Sequence, residues 1–245
     1  MGCVVTFAQL PAERIADGVS RAAITAGETR EMAAELIRIA PGKRWTASAP
    51  HGSDCYLFML NGAAVISAGN GRRHFPAQTF ATLQEGVEFA VENDGGASAD
   101  LVKVLAPPQP NGRPLPGFDG GINVAERKNT PVVPLPEEKK QRIYFVGHQA
   151  AKSERGHAMI VVYEKDTVTG LHHHPNAESM FVVLDGALRF TVNGEQVVVA
   201  PGQAAYFGIN DTHGLRVADG RDGASFLEFH IPAAFTTVRE PGASS

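Results

Sequence analysis

The sequence predicts an all-β protein built as two similar halves, on three observations. Short runs rich in Val, Ile, Phe and Tyr alternate with turn residues, and Asp185-Gly186 and Asn193-Gly194 are dipeptides typical of two-residue hairpins. Segments with helical periodicity are few, while Gly (26) and Pro (16) are plentiful enough to break the chain often. The chain also repeats itself. CYLFMLNGAAVI (55–66), FATLQEGVEFAVENDG (80–95) and LVKVLAPP (101–108) have counterparts in SMFVVLDGALRF (179–190), AYFGINDTHGLRVADG (205–220) and FLEFHIPA (226–233). Gly62 matches Gly186 at an offset of 124, and Pro107 matches Pro232 at 125. Solenoid units run about 20–50 residues, so a repeat of this length means two copies of a domain.

In the second copy, strands are expected at 159–163, 179–184, 188–192, 196–199, 204–207 and 224–231, a spacing that suits a sandwich or barrel. In the first, a short helix is expected around Arg30–Glu35, leading into a strand at Leu36–Ala40 that Pro41-Gly42 ends. Residues 105–140 hold eight of the sixteen prolines. Proline removes a ladder donor, so this stretch cannot be a run of central strands. The expected division is 1–106 for the first domain, 107–140 for a Pro-rich linker and 141–245 for the second domain.

Composition narrows the function. A chain 43% hydrophobic and 20% charged is ordinary for a globular protein. A net charge of −4 leaves no basic footprint for nucleic acid. No apolar run reaches the roughly 18 residues of a membrane span, and no charged region followed by an apolar core opens the chain. Two cysteines, Cys3 and Cys55, make no disulfide framework and suit the cytoplasm. Exposed edge strands make a homodimer the default assembly.

The chemistry concentrates in GLHHHPNAESMFVVLDG (170–186). Alternate residues of a strand share a face, so His172 and His174 point one way and His173 the other. Pro175-Asn176-Ala177 reads as a tight connection into a strand that Glu178 begins. His213 stands just before another strand. Three imidazoles and one carboxylate would make a cage for one divalent first-row metal, with positions left for water, substrate or oxygen.

The pattern H-x-H-x₃-E, followed by a strand and a glycine, resembles the first motif of the cupin superfamily. Gly202, with His213 eleven residues on, is similar to the second motif. Seven residues separate Glu178 from Gly186 where the motif has six, and Asp166 stands in place of a glycine. Gly208, Asn210 and Val217 replace the second motif's proline, glycine and asparagine. Through the repeat the resemblance extends over both halves, so it implies a bicupin: two tandem cupin barrels, each a double-stranded β-helix or jelly roll. The metal ligands it implies are His172, His174, Glu178 and His213. In the first half, Ser48, Pro50, Asp54 and Glu88 take those four places, so that barrel is expected to hold no metal.

Met180 and Val182 share the parity of Glu178 and are expected to face the pocket, with Phe190 on a neighbouring strand. Tyr206, Glu228 and His230 are candidates for moving protons, and Glu228 and His230 share a strand face with Phe226. Arg189 and Arg216 would bind an anion if they point inward. The expected function is a metal-dependent enzyme acting on a small polar or aromatic metabolite, foremost a dioxygenase using Fe(II), with Mn, Ni, Zn or Cu as other ions. The alternatives are a non-redox isomerase, lyase or aminohydrolase, and a cupin that binds a small molecule without turnover.

Overall fold

Runs such as Cys55-Tyr56-Leu57-Phe58-Met59 and Met180-Phe181-Val182-Val183 are apolar on both parities, the pattern of strands covered on both faces. They lie in two large sheets packed against each other. The structure, a computed structural model, describes residues 2–25, 27, 29–69, 71–106, 121–151, 153–192 and 194–240. The expected turn residue Asn193, the repeat mate Pro107 and residues 107–120 of the expected linker lie outside the described residues.

The strands in chain order are β1 (Cys3–Thr6), β2 (Glu13–Ala16), β3 (Val19–Ala23), β4 (Ala33–Ile39), β5 (Arg44–Ser48), β6 (Asp54–Asn61), β7 (Ala63–Ala68), β8 (Gly71–Pro76), β9 (Thr79–Leu83), β10 (Glu88–Glu92) and β11 (Ala99–Ala106). They continue with β12 (Ile122–Glu126), β13 (Val132–Leu135), β14 (Lys140–Val146), β15 (His157–Glu164), β16 (Val168–His173), β17 (Glu178–Gly186), β18 (Leu188–Val192), β19 (Glu195–Val199), β20 (Gln203–Phe207), β21 (His213–Val217), β22 (Gly223–Ile231) and β23 (Val238–Arg239). Among the described residues there is no α-helix, so none is long and apolar enough to cross a membrane. The short helix expected around residues 30–35 is instead a loop entering β4, which starts at Ala33. Pairing of β4 with both β3 and β11 outweighs the helical preference of Met32, Ala33, Ala34 and Glu35.

Each half is a large sheet facing a small one. The large sheets run β12-β9-β6-β11-β4-β3-β2 and β1-β20-β17-β22-β15-β14-β13, and the small ones β5-β10-β7-β8 and β19-β18-β21-β16-β23. The two large sheets correspond strand for strand, and their outermost strands are exchanged. β1, at the start of the chain, is an edge of the second half's sheet, while β12, from the Pro-rich segment, is the matching edge of the first half's. β13, from the same segment, is the opposite edge of the second half's sheet. Proline therefore sits where the ladder has no further neighbour.

Three apolar layers result. Ile37, Ile39, Trp45, Leu57, Phe75 and Phe89 fill the first half, and Phe181, Phe190, Phe207, Leu215 and Phe226 fill the second. Between the large sheets lie Tyr56, Phe58, Phe80, Phe145, Met180, Val182, Tyr206 and Phe229. Gly62 and Gly186 hold the same turn in each copy, at φ +79° and +70°, and a Cβ there would lie 2.5 and 2.2 Å from the carbonyl oxygens of Ser98 and Gly223. Only glycine fits that approach.

Candidate metal centre

β16 and β21 pair so that His172 and His213 stand directly opposite each other. His174 follows two residues later, in the loop into β17. The three imidazoles converge inside the second half: their ligand atoms lie within 4.8 Å of one another, and the ring centroids are 4.4 to 5.5 Å apart. His173 points away, toward Glu240, whose Oε1 is 3.2 Å from its Nδ1.

The protein fixes the tautomer of all three. Nδ1 of His172 lies 2.8 Å from the Gly170 carbonyl, that of His174 2.9 Å from the Thr236 carbonyl and that of His213 3.0 Å from the Asp211 carbonyl. A carbonyl only accepts, so Nδ1 carries the proton and Nε2 presents its lone pair. Nε2 of His174 and of His213 are buried and have no protein partner. Burial holds the imidazoles neutral: His172 is lowered, His174 is pushed down to about 4, and His213 lies well below the usual range. Three neutral nitrogens with inward lone pairs and fixed rings fit a divalent first-row ion. Among the described residues this is the one cluster of that kind.

Glu178 is not the fourth member. Its carboxylate turns out of the second half and accepts the backbone N–H groups of Arg30 (2.6 Å), Glu31 (2.9 Å) and Met32 (3.0 Å). Burial raises its carboxyl, against the pull of these three donors. The reason is strand parity. Glu178, Met180 and Val182 do share a face, but that face is the layer between the halves, so Met180 and Val182 line that layer and not the site. Tyr206, beside Met180 in β20, faces the same layer and is not at the centre. The inward face of β17 carries Ser179, Phe181 and Val183. Six residues separate Ser179 from Gly186, the spacing the glutamate lacks.

Glu228 and His230 point inward. His230 Nε2 is 2.6 Å from Glu228 Oε1, and His230 Nδ1 is 2.9 Å from Ser179 Oγ. The His230 ring lies 4.9 Å from that of His174 and stacks on Phe235 at 3.9 Å. Burial would raise the Glu228 carboxyl, but its bond to His230 and the charges of His230, Arg142 and His157 leave it lowered. His157, opposite His230 on β15, is pushed down to about 4, chiefly by burial.

These groups surround a cavity of about 240 Å³ that opens beside His172 and His174. Phe190 faces into the second half but packs behind Phe181, and Phe181 walls the cavity instead. Arg189 and Arg216 face away and pair with Asp219 at 2.8 and 2.6 Å. The cations that do line the cavity are Lys140 and Arg142 of β14 and Arg239 of β23. The segment around β23 also supplies Phe235 and the Thr236 carbonyl that orients His174. It is tied down by Asn176, which donates to the Ala234 carbonyl and accepts from Thr236 N, both at 2.8 Å.

In the first half, Ser48 faces Glu88 in the register at which His172 faces His213. Trp45 and Phe89 pack edge to face there, 5.3 Å apart.

The cupin-domain family model matches residues 159–230, which include all three histidines. Protein Ylba from E. coli superimposes with a TM-score of 0.74 at 9% identity, covering 94% of this chain and 90% of that one. The fold is the cupin jelly roll. Oxalate decarboxylase of Bacillus subtilis, a protein with Mn(II) centres, aligns with a TM-score of 0.71 at 15% identity, over 96% of this chain and 78% of that one. The Lactobacillus farciminis oxalate decarboxylase, as a formate complex, gives 0.70 at 15% identity, over 96% and 88%. No curated protein sequence matches the chain. The cupin match covers the half that carries the histidines.

Proposed function

We propose that the protein is a bicupin enzyme in which the second half holds one divalent metal through His172, His174 and His213, and acts on a small polar metabolite. The observation that carries the reading is the set of Nε2 lone pairs left facing inward once each Nδ1 is bound to a carbonyl. A metal there supplies Lewis acidity and open coordination positions. Burial keeps the three rings neutral and fixed. The His230–Glu228 pair, with His230 oriented by Ser179, is placed to take or give a proton at the Glu228 carboxylate, which lines the cavity. Phe181, Leu215 and Phe235 exclude bulk water.

Two reaction types use this arrangement. The His230–Glu228 pair favours a proton-transfer reaction, an isomerisation or a lyase step, which a metal-bound oxyacid substrate would support. A triad without a protein carboxylate leaves more positions open and favours dioxygen insertion, with Fe(II) as the ion. Turnover under argon separates them: substrate consumed without oxygen sinks the dioxygenase reading, and oxygen uptake in step with substrate loss sinks the other. The first half, filled by its own side chains, serves as the wall against which the second half's large sheet is buried. We place the enzyme in the cytoplasm as a homodimer, a reading supported by its two free cysteines and its exposed edge strands.

A further inference from the structure

Granting the metal reading above, we infer that the substrate is a small carboxylic acid whose carboxylate is held by Arg142 and its neighbouring cations. The inference comes from charge. Alternate positions of β14 bring Lys140 and Arg142 to the cavity, and Arg239 enters from the opposite sheet, where it pairs in register with His172. Against these three cations the cavity holds two carboxylates, Glu138 and Glu228. Both are engaged: Glu138 lies 3.1 Å from Lys140 at the half-exposed mouth, and Glu228 lies 2.6 Å from His230.

Arg142 is different. The hydrogen bond of its guanidinium is a long one, from Nη1 to the Tyr144 hydroxyl at 3.4 Å, and its Nε is buried with no acceptor. An unpaired buried donor on a charged group is costly, so the site calls for an acceptor there. Nε and Nη together form the planar fork that matches a carboxylate. Glu178, turned away to the loop at 30–32, adds no negative charge to the histidine triad. A divalent ion held by three neutral imidazoles would therefore keep its full charge, and burying it beside an excess of cations is unfavourable without an anion. The cavity's 240 Å³ falls below the roughly 300–1,000 Å³ of drug-sized pockets, so the acid is small. Phe181, Leu215 and Phe235 suit its carbon skeleton.

The test uses the full chain loaded with Mn(II), with metal content measured by elemental analysis. Wild type, Arg142→Gln and Arg239→Gln are titrated calorimetrically with pyruvate, malonate and benzoate, and with pyruvamide and inorganic phosphate. The expected result is that at least one carboxylate binds wild type at millimolar concentration or below. It should bind about tenfold or more tighter than the amide and phosphate. Arg142→Gln should weaken it roughly ten- to a hundredfold with metal content unchanged. Arg239→Gln, on the short edge strand β23, keeps the test alive if Arg142→Gln fails to fold, and the same direction of change is expected. Absence of binding by all three carboxylates, equal affinity for amide or phosphate, or unchanged affinity in the soluble variants would overturn the inference. A wild type that takes up no metal would overturn the metal reading instead, and the two failures are read from separate measurements.

Discussion

Asp54 and Glu178 occupy the first position of equivalent strands, 124 residues apart, and each reaches out of its own half to grip the other. Glu178 accepts three backbone N–H groups from the loop before β4. Asp54 accepts from Ser153 (2.6 Å) and Arg155 (3.2 Å) in the loop before β15, which is the equivalent loop of the second half. The repeat has therefore kept an acidic clasp in both copies, while the histidine triad exists in one.

With its carboxylate bound to three backbone N–H groups, Glu178 lies outside the proposed histidine cage, so Glu178→Gln should keep its metal and lose stability. The glutamine NH2 group would face at least one of three N–H donors now bound to a carboxylate. A loss of about 1–3 kcal/mol is expected, several degrees in Tm by calorimetry for a chain of this size. Metal content at the wild-type level with unchanged Tm would show that the three bonds carry no weight.

Asp54→Ala should cost more. Arg155 is buried against it, with the paired side chains 6% and 0% exposed, and Glu85 alone would remain to compensate the guanidinium. Removing one partner of a buried pair costs roughly 3–5 kcal/mol. Urea unfolding that leaves the midpoint unmoved would contradict this.

His230→Gln should leave the triad intact and lower kcat by about a hundredfold or more, the usual contribution of a general acid or base. Ser179→Ala removes the hydroxyl that orients His230 and should shift the pH–rate profile, with a smaller loss in kcat. A His230→Gln enzyme at full rate would remove that residue from the mechanism.

The metal-free protein should lose stability in acid. Burial pushes His174 down to about 4 in the folded chain, against about 6.5 for an ordinary exposed imidazole in the unfolded one. Between those values the unfolded chain binds the extra proton, so stability is present above 6.5 and falls as pH drops toward 4. The slope is at most about 1.4 kcal/mol per pH unit for this histidine. His157 adds to it in the same window. A Tm independent of pH across that range would contradict the neutral, buried state.

What the sequence made legible follows from periodicity, and so does what it hid. Alternation separates His172 and His174 from His173, and the offset of 124 to 125 places Ser48 opposite Glu88, as the register of β5 and β10 has it. Parity also groups Glu178 with Met180 and Val182, but β17 is covered on both faces, so alternation cannot say which face is interior. The spacing of seven from Glu178 to Gly186 held that information: the residue at six is Ser179, which faces in. Lys140 and Arg142 escaped notice because they border a Pro-rich stretch expected to be a linker, although the alternation Lys140, Arg142, Tyr144 marks one strand face. Arg239 and Phe235 belong to a short edge segment whose sequence has no strand signal of its own, and its place is set by Asn176 and by pairing with β16.

The central claim is that three histidines, without Glu178, hold the metal. Elemental analysis of untagged wild type, His174→Ala, His173→Ala and Glu178→Gln tests it most directly. The expected result is one first-row ion per chain in wild type, His173→Ala and Glu178→Gln, and loss of the ion in His174→Ala. Metal lost from folded Glu178→Gln, or retained in His174→Ala, would contradict it.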